Sequence, residues 1–214
     1  MVRRSAPAGV HGLRRASPAR FLRVRALLAG ALVLGVGGTL TLAAWTDTEV
    51  ARGSFAASTF GIVGSTDGTT FADHAAASPA GLSFTAPVSA MSPGTTVYSR
   101  FIVKTTPETS VTGKVSMGGA TVTGTGLGSY LQYGVRVIPA SSACDATSYG
   151  ASSTVLVPTG SALSTAATAQ QTLATAGGSP VAYCFAVTLP SGTANAAQGL
   201  TAIATWTFTA TSDS

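Results

Sequence analysis

An antiparallel β-sandwich of the all-β class, preceded by an apolar N-terminal segment, is what this 214-residue sequence predicts. Three observations lead there. From Ser54 onward apolar and polar residues alternate with period two; clusters of Gly, Pro, Ser and Thr punctuate the alternation; and a basic stretch followed by an apolar run stands in front. Alternation means half-buried strands, because successive side chains of a strand point to opposite faces. Hydrophobic residues make up 45% of the chain and charged residues only 9%, against about 25% charged in ordinary domains. Ser, Thr, Gly, Asn and Gln must therefore carry the polar surface, a composition that suits an exported protein. The length suits one domain plus a leader, and residues 54–214 are enough for a single core.

The leader comes first. Seven arginines (Arg3, Arg4, Arg14, Arg15, Arg20, Arg23 and Arg25) precede the apolar run with no acid among them. The rest of the chain sets five bases (Arg52, Arg100, Lys104, Lys114 and Arg136) against seven acids, a net charge of 5 − 7 = −2. The formal +5 thus belongs to the leader, and a nucleic-acid partner loses its electrostatic support. Residues 1–25 read as a basic n-region and residues 26–43, "ALLAGALVLGVGGTLTLA", as an apolar h-region, together a signal peptide 1–43 with small side chains at Ala43 and Ala44 for a peptidase to cut between or beside. Charge before the run holds the N-terminus inside and sends the C-terminal side across. The run exceeds the usual ~7–15 residues of an h-region, so a signal/transmembrane helix that stays as an anchor over residues 26–45 is the alternative, and the membrane is touched through this segment only. Gly35, Gly37 and Gly38 lower hydrophobicity and helix propensity near its exit. Arg14 and Arg15 with the later "RFL" share residues with a twin-arginine signal but not its spacing. Residues 44–53 then read as a flexible segment, because "TDTEVARGSFAAS" (46–58) is short of bulky core residues until Phe55.

The sandwich domain, residues 54–214, is read strand by strand. "VYSRFIVK" (97–104) turns Val97, Phe101 and Val103 inward and Tyr98, Arg100 and Lys104 outward. "SVTGKVSM" (110–117) repeats the scheme with Val111, Val115 and Met117, "YLQYGVRVI" (130–138) with Tyr133, Val135 and Val137, and "VAYCFAVTL" (181–189) with Tyr183, Phe185 and Val187. "TAIATWTFTA" (201–210) reads as one strand with Ala202, Ala204, Trp206, Phe208 and Ala210 on the core face and Thr201, Thr205, Thr207 and Thr209 toward water. The joints "SPG" (92–94), "TPET" (106–109), "GTGLG" (124–128) and "LPSG" (189–192) supply turn chemistry. The stretch 160–175 has the composition for a short helix, weakened by its threonines. Short antiparallel strands with turn-rich joints define a sandwich.

Two stretches carry a family resemblance. "GGTLTLAAWTDTE" followed by "GSFAASTFGIVGS" resembles the export signal of proteins processed by SipW-type signal peptidases, with Trp45, Asp47, Glu49, Phe55, Ala56 and Ala57 matching and Ser58-Thr59-Phe60 departing from it. "MSPGTTVYSRFIVKTTPETSVTGKV" and "QGLTAIATWTFTATS" are similar to stretches of TasA/camelysin-like proteins, and the Cys-bearing part with "YCFAVTLP" to actinobacterial members with that type of signal. The resemblance implies a jelly-roll-like β-sandwich, a SipW-type signal peptidase as partner, a cell-surface or extracellular-matrix location and, as in TasA-like members, assembly of the chain with itself into a filament. Camelysin-like relatives are classed as metallopeptidases, so the resemblance keeps a peptidase as a third reading, the least favoured because the chain lacks the histidines of a catalytic zinc site.

The residues offer little catalytic chemistry. Cys144 and Cys184 are the only cysteines, and an even count outside the cell reads as one disulfide; a thiol nucleophile or metal ligand lacks partners. His74 is the only histidine beyond the leader, whereas a catalytic zinc takes two or three, and no H-E-x-x-H is present. His74 with Asp73 and Asp67 lacks a serine in a nucleophile elbow, and Asp67 with Asp73 falls short of the oxygens calcium takes. Trp206 and Phe208 read as core before they read as a sugar platform; Tyr98, Tyr130 and Tyr149 are candidates for a ligand face. No catalytic, cofactor-binding or metal-binding residue is expected. The expected function is an exported, non-enzymatic structural protein whose flexible N-terminal segment adds a strand to the next subunit, with a glycan- or protein-binding jelly-roll module as the alternative.

Overall fold

A computed structural model describes residues 19–39, 46–152 and 154–213. The chain divides into two compact units, Met1–Ser54 and Phe55–Ser214. In the first, α1 (Ala19–Thr39) takes up part of the apolar run. Arg20, Arg23 and Arg25 lie in its first turns, leaving Ala26–Thr39 free of charge, and among the described residues no helix is long and apolar enough to cross a membrane. Phe21, Leu22, Leu27, Leu28 and Leu32 are exposed. Ala43 and Ala44, the expected cleavage site, lie outside the described residues.

In the second unit the elements run β1 (Ile62–Ser65), β2 (Thr96–Thr105), β3 (Gly113–Met117), β4 (Thr121–Thr123), β5 (Gln132–Ile138), α2 (Ala146–Ala151), β6 (Val155–Ala162), β7 (Gln171–Leu173), β8 (Val181–Thr188), β9 (Ile203–Thr205) and β10 (Phe208–Ser212). One antiparallel sheet has the order β1-β2-β8-β5-β6; a second has β10-β3-β7, continued by the pair β4-β9. The core fills the space between them with Val97, Phe101 and Val103 of β2, Tyr183, Phe185 and Val187 of β8, Tyr133 and Val135 of β5, and Val115 and Met117 of β3, against half-buried Trp206 and Phe208. These are the inward faces expected from the alternation.

β8 is buried along both faces. Its second face is Ala182, Cys184 and Ala186, small enough to let the loop after β5 lie against the sheet, where Cys144, Tyr149 and Ile138 join them in a smaller cluster. Cys144 is bonded to Cys184 with their Cα atoms 5.3 Å apart. The bond closes a separation of 40 residues, worth about 4 kcal/mol in the chain-entropy account. The same loop carries α2, which the alternation did not reveal; its signal is Asp145, whose carboxylate accepts from the Ser148 N–H at 2.8 Å as an N-cap.

Four expectations need correction. The strand 201–210 is two strands, because at the bend Thr207 turns its carbonyl to the Gly118 N–H, 2.9 Å away. The partner strand breaks at the same level, at Gly118–Ala120, where a Cβ on Gly119 would overlap the Ser164 carbonyl. The stretch 160–175 forms no helix: its ends are the close of β6 and β7, which finds pairing partners in Gly113, Lys114 and Val115. Val111 precedes β3, and Gly113 takes the buried position instead. Phe55 does not anchor the domain; it is 97% exposed. The chain is first held at Thr59, whose carbonyl accepts from the Ser110 N–H at 3.0 Å, and by Phe60, whose ring would lie 2.6 Å from a Cβ on Gly113.

Candidate functional site

The two sides of the sandwich are finished differently. On one side the chain passes from β6 directly to β7 and closes the gap: the Tyr133 hydroxyl donates to the Thr165 carbonyl, and the Ala167 and Thr168 N–H groups bond the Met117 and Leu156 carbonyls at 3.0 and 2.9 Å. The outer strand there is also interrupted by register shifts against β5, and it carries Pro158. Bulges and proline are the usual means of blunting an edge.

The other side is open. There β1 ends the first sheet and β9–β10 ends the second. The Thr106 N–H bonds the Gly61 carbonyl at 2.9 Å, so by the alternation of an antiparallel ladder Val63 and Ser65 face β2 while Ile62 and Gly64 face outward. Gly64 exchanges two hydrogen bonds with Ala72, at 2.9 and 3.0 Å, and Ile62 keeps an open edge. Across the gap, Gly118 and Thr112 fix Thr207 and Asp213 toward β3. Phe208, Ala210 and Ser212 therefore turn their backbone groups outward, where no partner stands among the described residues.

Between these edges lies a cleft of about 570 Å³. Its floor is core: Phe101, Phe185, Trp206 and Phe208. The rings pack on one another, Phe101 with Phe208 at 5.1 Å between centroids and Phe185 with Trp206 at 4.9 Å. Gly64 is required where β1 passes over this floor, because a Cβ there would overlap the Phe101 ring. A smaller cavity of about 140 Å³ continues the cleft past Phe84, Ala204 and Trp206. Burial raises the pKa of the Tyr183 hydroxyl well above its ordinary value, and that hydroxyl and the Trp206 Nε1 are buried without a hydrogen-bond partner among the described residues.

At the rim stand Asp73 and His74, both exposed, with the His74 ring edge-on to Phe101 at 6.4 Å. Asp67 is elsewhere in use: Oδ1 accepts from the Thr69 N–H at 2.7 Å, the Thr70 N–H at 2.8 Å and the Ser65 hydroxyl at 2.8 Å. Those donors, the Thr69 amide foremost, hold its carboxyl well below the usual range. Its backbone carbonyl in turn accepts from Arg100 at 2.8 Å. No three His, Cys, Asp or Glu side chains are grouped as metal ligands among the described residues.

The tyrosines do not form one face. Tyr98 and Tyr149 meet behind the first sheet at 5.9 Å, and Tyr149 is buried under Arg136, its hydroxyl paired with that of Thr159 at 2.7 Å. Tyr130 follows the 3-10 turn Leu127–Ser129 near β5. Of the three candidates for a ligand face, Tyr149 is thus buried and holds α2 against the sheet, and Tyr98 packs on it. Trp206 and Phe208 pack on the core as expected, and the opening beside them is a feature of the fold that the alternation does not show. It depends on which edges remain uncovered, and nothing local in the sequence records that.

No family model matches the chain, and no curated protein matches it significantly. Fold and site together define a disulfide-bonded antiparallel β-sandwich with one closed and one open side. The disulfide fits an oxidising compartment.

Proposed function

We propose that this is an exported, non-enzymatic structural protein of the cell surface or extracellular matrix, which assembles by lending a strand to the open side of the next copy. In this reading the leader directs export, a SipW-type peptidase cuts beside Ala43 and Ala44, and residues 46–58 become the lent strand. The observation that carries it is an apolar cleft flanked by the uncovered edge of β10 and by the part of β1 that stays open at Ile62. A cleft bounded by free backbone donors and acceptors fits a strand better than it fits a compact ligand.

Strand order supports the same reading and the jelly-roll description. With β3–β4 and β9–β10 each counted as one bent strand, the orders β2-β8-β5-β6 and β10-β3-β7 follow a jelly roll in which the place of the first strand, beside β10, is empty. The segment before β1 has the pattern to fill it. Extended, it places Ala51, Gly53, Phe55 and Ala57 on one face and Arg52, Ser54, Ala56 and Ser58 on the other. All of residues 46–59 are exposed in their own chain, Phe55 at 97%. Phe55 is the knob for the aromatic floor. Burying it contributes about 1.5–3 kcal/mol. The contact joins two different surfaces, head to tail, and need not close on itself, the arrangement from which filaments are built.

The test compares a chain beginning at Trp45 with one beginning at Ser58, by light scattering and electron microscopy over a range of concentration and pH. Filaments from the first and monomers from the second are expected. Filaments from both, or from neither, would contradict the proposal.

A further inference from the structure

The segment that covers the mouth of the cleft is fastened at its two ends and almost nowhere between. At its start the turn Ser65–Thr70 is fixed by Asp67, and Ala72 is bonded to Gly64 through both backbone groups at 2.9 and 3.0 Å. At its end the Ser83 carbonyl accepts from the Ser99 hydroxyl at 2.8 Å, and the Thr85 N–H bonds the Tyr98 carbonyl at 2.9 Å. In residues 73–82 the hydrogen bond present among the described residues runs within the segment itself, from the Ser78 N–H to the Ala75 carbonyl at 2.9 Å. Residues 72–79 are exposed; Ala80 and Leu82 pack on the core, and the exposed His74 ring meets Phe101 edge-on at 6.4 Å.

The composition explains the loose hold. "DHAAASPAG" (73–81) places small side chains along the cleft where a strand of the sandwich would bring bulky ones. Ala75, Ala76, Pro79 and Gly81 line it without filling it. A Cβ on Gly81 would have nothing within 4 Å. Pro79 lacks a donor for any ladder, so the segment does not become the missing strand itself.

We propose that residues 72–82 are a displaceable strap: they shield the open side in the free chain, and a lent strand enters only when the strap lifts from the cleft. This rests on the strand-lending reading above and adds its control. The strap lies over the mouth of the cleft, between the open edges, and leaves assembly to whatever shifts the balance between its closed and lifted forms. Its weak fastening is the required property, because a segment that must move belongs to the least stable part of a fold.

Two variants of the full chain separate a strap that lifts from a wall that stays. The probe is a fluorescent peptide of residues 46–58, its binding followed by anisotropy. Leu82→Ala removes the largest apolar strap side chain in the cleft. A lifting strap then opens more often and peptide binding tightens several-fold; a fixed wall loses contact area and binding weakens. Val63→Cys with Asp73→Cys flanks the Gly64–Ala72 bridge with a disulfide that pins the strap. Oxidised, this variant is expected to bind at least ten-fold more weakly than when it is reduced by mild thiol that spares the buried Cys144–Cys184 bond. Weaker binding by Leu82→Ala, or equal binding by the oxidised and reduced double variant, overturns the strap. If the peptide binds none of the proteins, the strand-lending reading falls. The strap is then judged by hydrogen exchange of the Ala72 amide, which must be much faster than that of Val97 in β2; equal protection overturns it.

Discussion

Substituting Gly64→Ala probes the floor of the cleft with one methyl group. The added Cβ would overlap the tip of the Phe101 ring and lie 3.0 Å from Phe101 Cε2. Phe101 cannot retreat inward, because it packs at 5.1 Å on Phe208, which in turn meets Tyr183 at 4.9 Å. The ring must swing toward the opening or β1 must lift from β2. Overpacking of this kind costs about 1–3 kcal/mol, and for a domain of this size each kcal/mol lowers Tm by about 2–4 °C. A loss of about 2–12 °C is therefore expected by calorimetry, with a matching fall in the urea midpoint, measured at concentrations below any assembly. Gly81→Ala is the control, since its Cβ meets nothing within 4 Å, and it should change stability by no more than about 0.5 kcal/mol. A Gly64→Ala protein as stable as the control would refute the packing of Phe101 beneath β1, and with it the described floor.

Two further outcomes follow from the fold. Labelling of the unreduced, denatured protein should find no free thiol, and replacing Cys144 and Cys184 together by Ser should lower stability by up to about 4 kcal/mol in urea unfolding; two labelled thiols per chain would contradict the bond. The carboxyl of Asp67 titrates lower folded than unfolded, because the Thr69 and Thr70 amides and the Ser65 hydroxyl bond its ionised form. Its contribution is therefore fully present above the unfolded carboxylate value of about 3.9 and is lost as pH falls below it toward the folded value. Asp67→Asn should flatten that part of the acid-unfolding curve, and an unchanged curve would count against the turn.

Strand faces were legible in the sequence wherever one strand pairs on both sides. In β2, β5 and β8 the alternation placed Phe101, Tyr133, Val135, Tyr183 and Phe185 correctly, since a register slip would expose every one of them. The turn residues and the cysteine pair were legible for equally local reasons. What was not legible depends on long-range partners. The break at Trp206–Thr207 exists because Gly118 and Gly119 lie opposite, and the fate of 160–175 was decided by a partner strand far earlier in the chain, where Gly113 pairs with Leu173 and Val115 with Gln171. Phe55 and Phe60 look alike in sequence, yet only Phe60 finds a glycine to pack on. The open side was the least legible feature, because an edge is defined by the strand that is not beside it.

The central claim, that residues 46–58 of one copy occupy the open side of another, is tested most directly by a photoreactive benzophenone analogue placed at Phe55. Chains carrying it are mixed with heavy-isotope chains, irradiated and digested for mass spectrometry. Cross-links from position 55 to light–heavy pairs at Ile62–Gly64 or Ile203–Phe208 are the predicted result. Cross-links confined to one chain, or to surfaces away from the cleft, would contradict it.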